Sequence, residues 1–139
     1  MTKYEQYETE TTPHVSLDSA TGDLFFKGRS IPENAAEFYQ PIMHWMDGYA
    51  QQPHAKTTAH LQFEYFNTSS SKRIFDLMKR LEQLQLAPSG CKVTINWYYE
   101  EGDEDIYFAG TDYRALLDKQ VEFNLLPLRS QPSDKKDGE

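Results

Sequence analysis

From Thr57 to Phe66 the chain alternates: Ala59, Leu61, Phe63 and Tyr65 share one parity, and Thr58, His60, Gln62 and Glu64 the other. Successive side chains of a strand point to opposite faces, so this period of two predicts a strand with one apolar face. The split returns in CKVTINWYYE, where Cys91, Val93, Ile95, Trp97 and Tyr99 oppose Lys92, Thr94, Asn96 and Glu100. Strands with one greasy face each predict a sheet covered by helices on one side. A doubly wound sheet carries central strands that are apolar on both faces.

Between these strands, SSSKRIFDLMKRLEQL sets Ile74, Leu77, Met78, Leu81 and Leu84 on one stripe at helical spacing, and APSG ends it. Strand, helix and strand of these lengths predict a right-handed crossover with parallel strands. Upstream, HVSLD and DLFFKG flank the turn-rich SATG, a hairpin signal, and a weak alternation over Tyr4 to Thr9 predicts an additional edge strand. ENAAEFYQPIMHWMDGYAQQ spaces Phe38, Ile42, Trp45 and Tyr49 as one helical face, with Pro41 expected to kink the helix or bend its first turn. DEDIYFAGTDYRALLD predicts a third helix weakened or broken by Gly110, and VEFNLLP a last strand with Val121, Phe123 and Leu125 inward. The order is strand, hairpin, then helix and strand three times over. It predicts an α/β fold with a mixed sheet of four to six strands and helices packed mainly on one face.

A chain of 139 residues with 38% hydrophobic and 14% aromatic positions can build one core, so a single domain is expected over residues 1–129. Residues 130–139, SQPSDKKDGE, hold no large apolar side chain and are expected to be a disordered tail. The single cysteine, Cys91, stands at an apolar position and reads as core. No basic-then-apolar leader and no run of roughly 18 apolar residues occurs, so the cytoplasm is the default location, without a membrane span. Fourteen basic against 22 acidic residues give a formal charge of −8, which repels phosphate backbones and anionic lipid surfaces. Neither nucleic acid nor membrane is an expected partner.

Chemistry concentrates where a strand gives way to a helix, in FEYFNTSSSKRIF. Asn67, Thr68 or Ser69 could cap the helix by accepting a hydrogen bond from a free N–H. Five polar residues in succession, Asn67 through Ser71, exceed what one cap requires. Lys72 and Arg73 add positive charge where the helix dipole disfavours it by ~0.3–1 kcal/mol apiece. A phosphate on Thr68 would resolve that conflict by bringing about −1.5 to −2 charges to the positive helix end beside two cations.

Four segments, TPHVSLD, GRSIPENAAEFYQPIMHWMDGYA, LQFEYFNTSSSKRIFDLMKRLEQL and INWYYEEGDEDIYFAGTDYRALL, resemble the SiaC family of bacterial regulatory phosphoproteins over Tyr4 to Leu126. The resemblance implies a fold similar to anti-sigma factor antagonist (STAS) domains. It also implies that Thr68, the threonine of the NTSS stretch, is phosphorylated by a serine/threonine kinase and released by a PP2C-type phosphatase. The unphosphorylated form is implied to bind and stimulate a diguanylate cyclase, raising cyclic di-GMP and favouring biofilm formation. The expected partner surface is Asn67, Ser69, Ser70, Ser71, Lys72 and Arg73 with Lys79 and Arg80 on the exposed side of the helix.

Rival chemistries find less support. His14, His44, His54 and His60 form no pair at i, i+4 spacing, and the cluster Glu100, Glu101, Asp103, Glu104 and Asp105 lacks an EF-hand pattern, so no metal or cofactor is expected. That cluster reads as a solvated turn suited to a helix start. No acid sits in an apolar run, and no G-x-S-x-G, G-x-G-x-x-G or Walker pattern occurs, so no catalytic residue is named and no enzyme is expected. The alternative is a small-molecule or lipid-binding STAS-like domain using the polar sheet face or the first helix. A hydroxyl nucleophile at Thr68 would need a base in reach, and His60 lies on the polar face of the preceding strand.

Overall fold

The computed structural model describes residues 2–88 and 90–129. Six strands form one sheet: β1 (Lys3–Gln6), β2 (His14–Asp18), β3 (Asp23–Ser30), β4 (Lys56–Phe66), β5 (Lys92–Glu100) and β6 (Glu122–Leu128). Their order in space follows their order in the chain. β1, β2 and β3 pair antiparallel, while β3, β4, β5 and β6 run parallel. Each parallel pair is joined by a helix, as parallel strands require: α1 (Ala35–Tyr49), α2 (Thr68–Leu86) and α3 (Glu104–Leu116). The expected edge strand, hairpin and three helix-and-strand units are all present. The segment 130–139, expected to be a disordered tail, lies outside the described residues.

The inward parity of the strands meets the helices in a single core. Val15, Leu17, Leu24, Phe26, Ala59, Leu61, Val93, Ile95 and Trp97 from the sheet are buried against Ile42 and Met46 of α1 and Ile74, Leu77, Met78 and Leu81 of α2. Fully burying a side chain of this size contributes about 1.5–3 kcal/mol, so this layer is what holds α2 against the sheet. Cys91 is in the core as expected, 3% exposed, within reach of the Thr57 hydroxyl at 3.2 Å.

Four sequence expectations need correction. Tyr65 does not continue the inward row of β4; it is exposed, and Phe66 packs on the core instead. The pairing of β3 with β4 shifts between Gly28 and Arg29, so that Glu64 is an extra residue in β4 and reverses the parity after it. On α1 the buried residue is Tyr39, not the half-buried Phe38, because the Tyr39 hydroxyl finds a partner in Ser30 at 2.7 Å and its ring can therefore go inside. Gly110 neither breaks nor ends α3. A Cβ there would lie 2.5 Å from Trp97 Cδ1 and 2.8 Å from Leu125 Cδ2, so glycine is what lets the helix approach the indole. Finally, an acid is buried in an apolar stretch: Glu82 is 6% exposed among the leucines of α2.

Candidate functional site

β4 ends at Phe66, and Asn67 turns the chain into α2. With an extended backbone, φ −88° and ψ 177°, Asn67 is the N-cap, its side-chain oxygen accepting from Ser70 N at 2.9 Å. Its own N–H donates to the Ser30 carbonyl at 3.1 Å, and its carbonyl accepts from Ser71 N at 2.9 Å. A helix leaves its first N–H groups without intrahelical partners. Asn67 takes those of Ser70 and Ser71, while the N–H groups of Thr68 and Ser69, both exposed residues, have no protein acceptor among the described residues.

The four hydroxyls of the run meet different fates. Thr68 and Ser69 are exposed, the latter donating to Asn67 Oδ1 at 3.3 Å. Ser70, expected on the partner surface, is instead fully buried and accepts from Ser30 Oγ at 2.9 Å, because the third helical position faces the sheet. Ser71 is half-buried and tied to α3: its Oγ lies 2.9 Å from the Tyr113 hydroxyl, which also donates to the Ser71 carbonyl at 2.9 Å. Burial raises the pKa of the Tyr113 phenol, and the Ser71 hydrogen bond opposes that.

Lys72 and Arg73 are the fifth and sixth helical residues, one turn further in than the sequence suggested. Residues four apart share a helix face, so Lys72 lies on the same face as Thr68. Asn67, Thr68, Ser69, Lys72 and Arg73 line one open depression of about 530 Å³. Lys72 is exposed and has no ion-pair partner among the described residues, while Arg73 Nη1 lies 3.3 Å from Asp76 Oδ2. A second open hollow of about 610 Å³ adjoins through Arg73 and runs between α1 and α2 past Met43, Asp76 and Arg80.

Farther along the helix, Lys79 and Arg80 are both engaged. Arg80 Nε bridges to Asp47 of α1 at 2.9 Å. Lys79 Nζ lies 2.6 Å from Glu82 Oε1 and 6.0 Å from the centre of the Phe75 ring. The other oxygen of Glu82 accepts from Asp118 N at 2.6 Å, fastening α2 to the segment after α3. The hydrogen bond from Lys79, joined by that from Asp118, holds the Glu82 carboxyl below its ordinary range against the opposing effect of burial. Gln85 makes a parallel clamp, to Gln120 O at 2.6 Å and from Val93 N at 2.9 Å. Sequence reasoning missed both clamps, since nothing in a glutamate or glutamine on a helix announces a partner 35 or 36 residues away.

The other candidates separate from this site. The acidic turn starts α3 as expected: Asp103 caps it, accepting from Ile106 N at 3.1 Å, with Glu104 and Asp105 in the first turn. His60 sits on the sheet face opposite the helices, stacked on Phe25 at 4.4 Å between ring centres and 3.0 Å from the Tyr98 hydroxyl. Burial lowers its pKa, with Asp23 opposing. Among the described residues no group of three His, Cys, Asp or Glu side chains is placed to hold a metal, and no helix is long and apolar enough to cross a membrane.

Comparison with known proteins identifies the fold and the family. The crystal structure of apo-SiaC from Pseudomonas aeruginosa superposes with a TM-score of 0.81 at 24% identity, over 91% of this chain and 99% of that one. A chain of the crystal structure of the diguanylate cyclase SiaD in complex with its activator SiaC, from the same organism, gives a TM-score of 0.81 at 25% identity, over 90% and 99%. An uncharacterized protein of P. aeruginosa strain UCBPP-PA14 is 27% identical over 106 residues, spanning 76% of this chain and 82% of that protein. The family model described as SiaC family regulatory phosphoprotein matches residues 6–128, nearly the whole of the sheet and all three helices. The chain belongs to the SiaC family of regulatory phosphoproteins.

Proposed function

We propose that the start of α2 is a phosphorylation switch that controls binding to a downstream protein. Thr68 accepts phosphate from a serine/threonine kinase and loses it to a PP2C-type phosphatase. The exposed surface of Asn67, Ser69, Lys72 and Arg73, continued along α2 by Lys79 and Arg80 with Ser71 at its margin, is the partner contact. The protein acts in the cytoplasm, by binding and without catalysis of its own. P. aeruginosa SiaC is described as the activator of the diguanylate cyclase SiaD, and a diguanylate cyclase is the class of partner we assign here.

The observation that carries this reading is the exposed Thr68, seated at the helix start in one depression with Lys72, which has no ion-pair partner among the described residues. An arriving dianion meets the positive end of a helix and a cation already in reach. The unmodified hydroxyl is small and neutral and suits a contact surface. A phosphate there places a charge in the contact whose desolvation the partner cannot offset. We therefore assign binding to the unmodified form. The surrounding hollows are open rather than enclosed, as suits a protein surface better than a small-molecule pocket.

Affinity capture from the native cell, with Thr68→Ala and Thr68→Glu proteins as baits, tests the assignment. The cyclase is expected with the Ala form and depleted with the Glu form. Equal recovery on both baits contradicts it.

A further inference from the structure

Three buried hydroxyls meet beneath the first turn of α2. Ser30, at the end of β3, donates through Oγ to Ser70 Oγ at 2.9 Å. Its Oγ also lies 2.7 Å from the Tyr39 hydroxyl. A serine hydroxyl has a single proton, and that of Ser30 is committed to Ser70, so Tyr39 is the donor in the second bond. The chain therefore runs in one direction, from Tyr39 of α1 through Ser30 of β3 to Ser70 of α2. All three residues are fully buried. Burial pushes the Tyr39 phenol well above its ordinary pKa, which keeps its proton in place.

Ser30 grips the same turn a second time, since its carbonyl accepts from Asn67 N at 3.1 Å. The residue before Thr68 and the residue two after it are thus both anchored to Ser30. This matters for a run of four consecutive hydroxyls, where a frayed first turn would offer Ser70 and Ser71 to a modifying enzyme together with the exposed Thr68 and Ser69. Ordinary packing would fill the space under the turn with apolar side chains. Here a directional chain fills it instead, and hydrogen bonds specify register where apolar contacts do not.

We propose that Tyr39, Ser30 and Ser70 form a positioning chain that fixes the first turn of α2 and so withholds the Ser70 and Ser71 hydroxyls of the run from modification. The selection rests on the reading of Thr68 as the acceptor; the fixing of the turn does not. Tyr39 touches no substrate and acts through Ser30.

Hydrogen exchange on the full-length chain tests it, comparing Tyr39→Phe with Tyr49→Phe. Each substitution deletes one buried phenol hydroxyl from α1, the latter the one bonded to Thr57 Oγ1 at 2.7 Å, far from the turn. Loss of the hydroxyl chain is expected to speed exchange of the Asn67, Ser70 and Ser71 amides about ten-fold, while those of Leu77 and Met78 change no more than in Tyr49→Phe. Ser70→Ala should reproduce the effect with Tyr39 intact. Uniform acceleration along α2, or equal profiles in the two Tyr variants, overturns the proposal.

A second arm treats the wild type and Tyr39→Phe with the cognate kinase and maps phosphate by mass spectrometry. Spread from Thr68 to Ser70 or Ser71 in the variant is expected, and an unchanged site distribution overturns the selective role. A wild type that takes no phosphate on Thr68 defeats the functional reading, and the exchange result then decides the positioning of the turn by itself.

Discussion

The starts of α2 and α3 are built to the same plan and furnished in opposite ways. Each follows a parallel strand, and each is capped by a short polar side chain that accepts the N–H three residues on, Asn67 for α2 and Asp103 for α3. Beyond the cap, α3 obeys the helix dipole with Glu104 and Asp105 in its first turn. α2 has no acid there; it carries Thr68, Ser69, Ser70 and Ser71 and then two cations. α1 sides with α3, having Glu37 in its first turn. Stability alone accounts for α1 and α3. It leaves the α2 start under-neutralised, and the missing negative charge is what a phosphate on Thr68 would supply.

The comparison has force because α2 is secured elsewhere, and this gives the largest expected effect. Glu82→Ala removes the acceptor of Asp118 N–H and the partner of Lys79, and should cost about 1–3 kcal/mol by denaturant melts. The contribution depends on pH in a definite sense. Because the folded carboxyl lies below its ordinary range, its stabilisation is complete above that range and fades as acid titrates the folded form. The gap between wild type and Glu82→Ala should therefore narrow in acid. A gap that widens there would mean that Glu82 is not held as an anion.

Next come the caps, where the two helices should behave alike. Asn67→Ala and Asp103→Ala should each lose about 0.5–2 kcal/mol, which equilibrium unfolding would measure. A much larger loss at Asn67 would show that its side-chain bonds to Ser70 N and Ser69 Oγ exceed ordinary capping. The charges should then separate the helices: Glu104→Lys should destabilise by about 0.3–1 kcal/mol, whereas Lys72→Glu should stabilise by about 0.3 kcal/mol, Lys72 lying one turn in. Both effects should shrink at high salt, and a destabilising Lys72→Glu would remove the electrostatic contrast. No effect of definite sign is expected at the residue of greatest interest. Thr68 is not the cap and is exposed, so Thr68→Ala should leave stability within about 0.5 kcal/mol of wild type in the same melts.

How much of this the sequence disclosed depended on whether the governing contact was local. The alternation in β4 and β5 and the stripe on α2 are local, and they placed the sheet, the core and the strand-to-helix junction. Pairing across strands is not local: the extra residue at Glu64 reversed Tyr65 and Phe66, and only the neighbouring β3 reveals the shift. Tyr39 goes inside because Ser30 lies beneath it, and Gly110 is required because Trp97 lies across from it. The same limit applied within the site. That one of five polar residues caps the helix follows from the chain, and Thr68 follows from family resemblance. That Ser70 is buried and Ser71 bound to Tyr113 needed the orientation of α2 over the sheet. Lys79 and Arg80 were legible as exposed cations, yet their partners Glu82 and Asp47 decide how freely they can meet another molecule.

The contrast between the two helix starts converges on a single chemical event. Intact-mass measurement and phosphosite mapping of the full chain after reaction with the serine/threonine kinase of the same cell should find one added phosphate, on Thr68, and none in Thr68→Ala. Phosphate on other residues alone, or equal incorporation into the Thr68→Ala protein, would contradict the account.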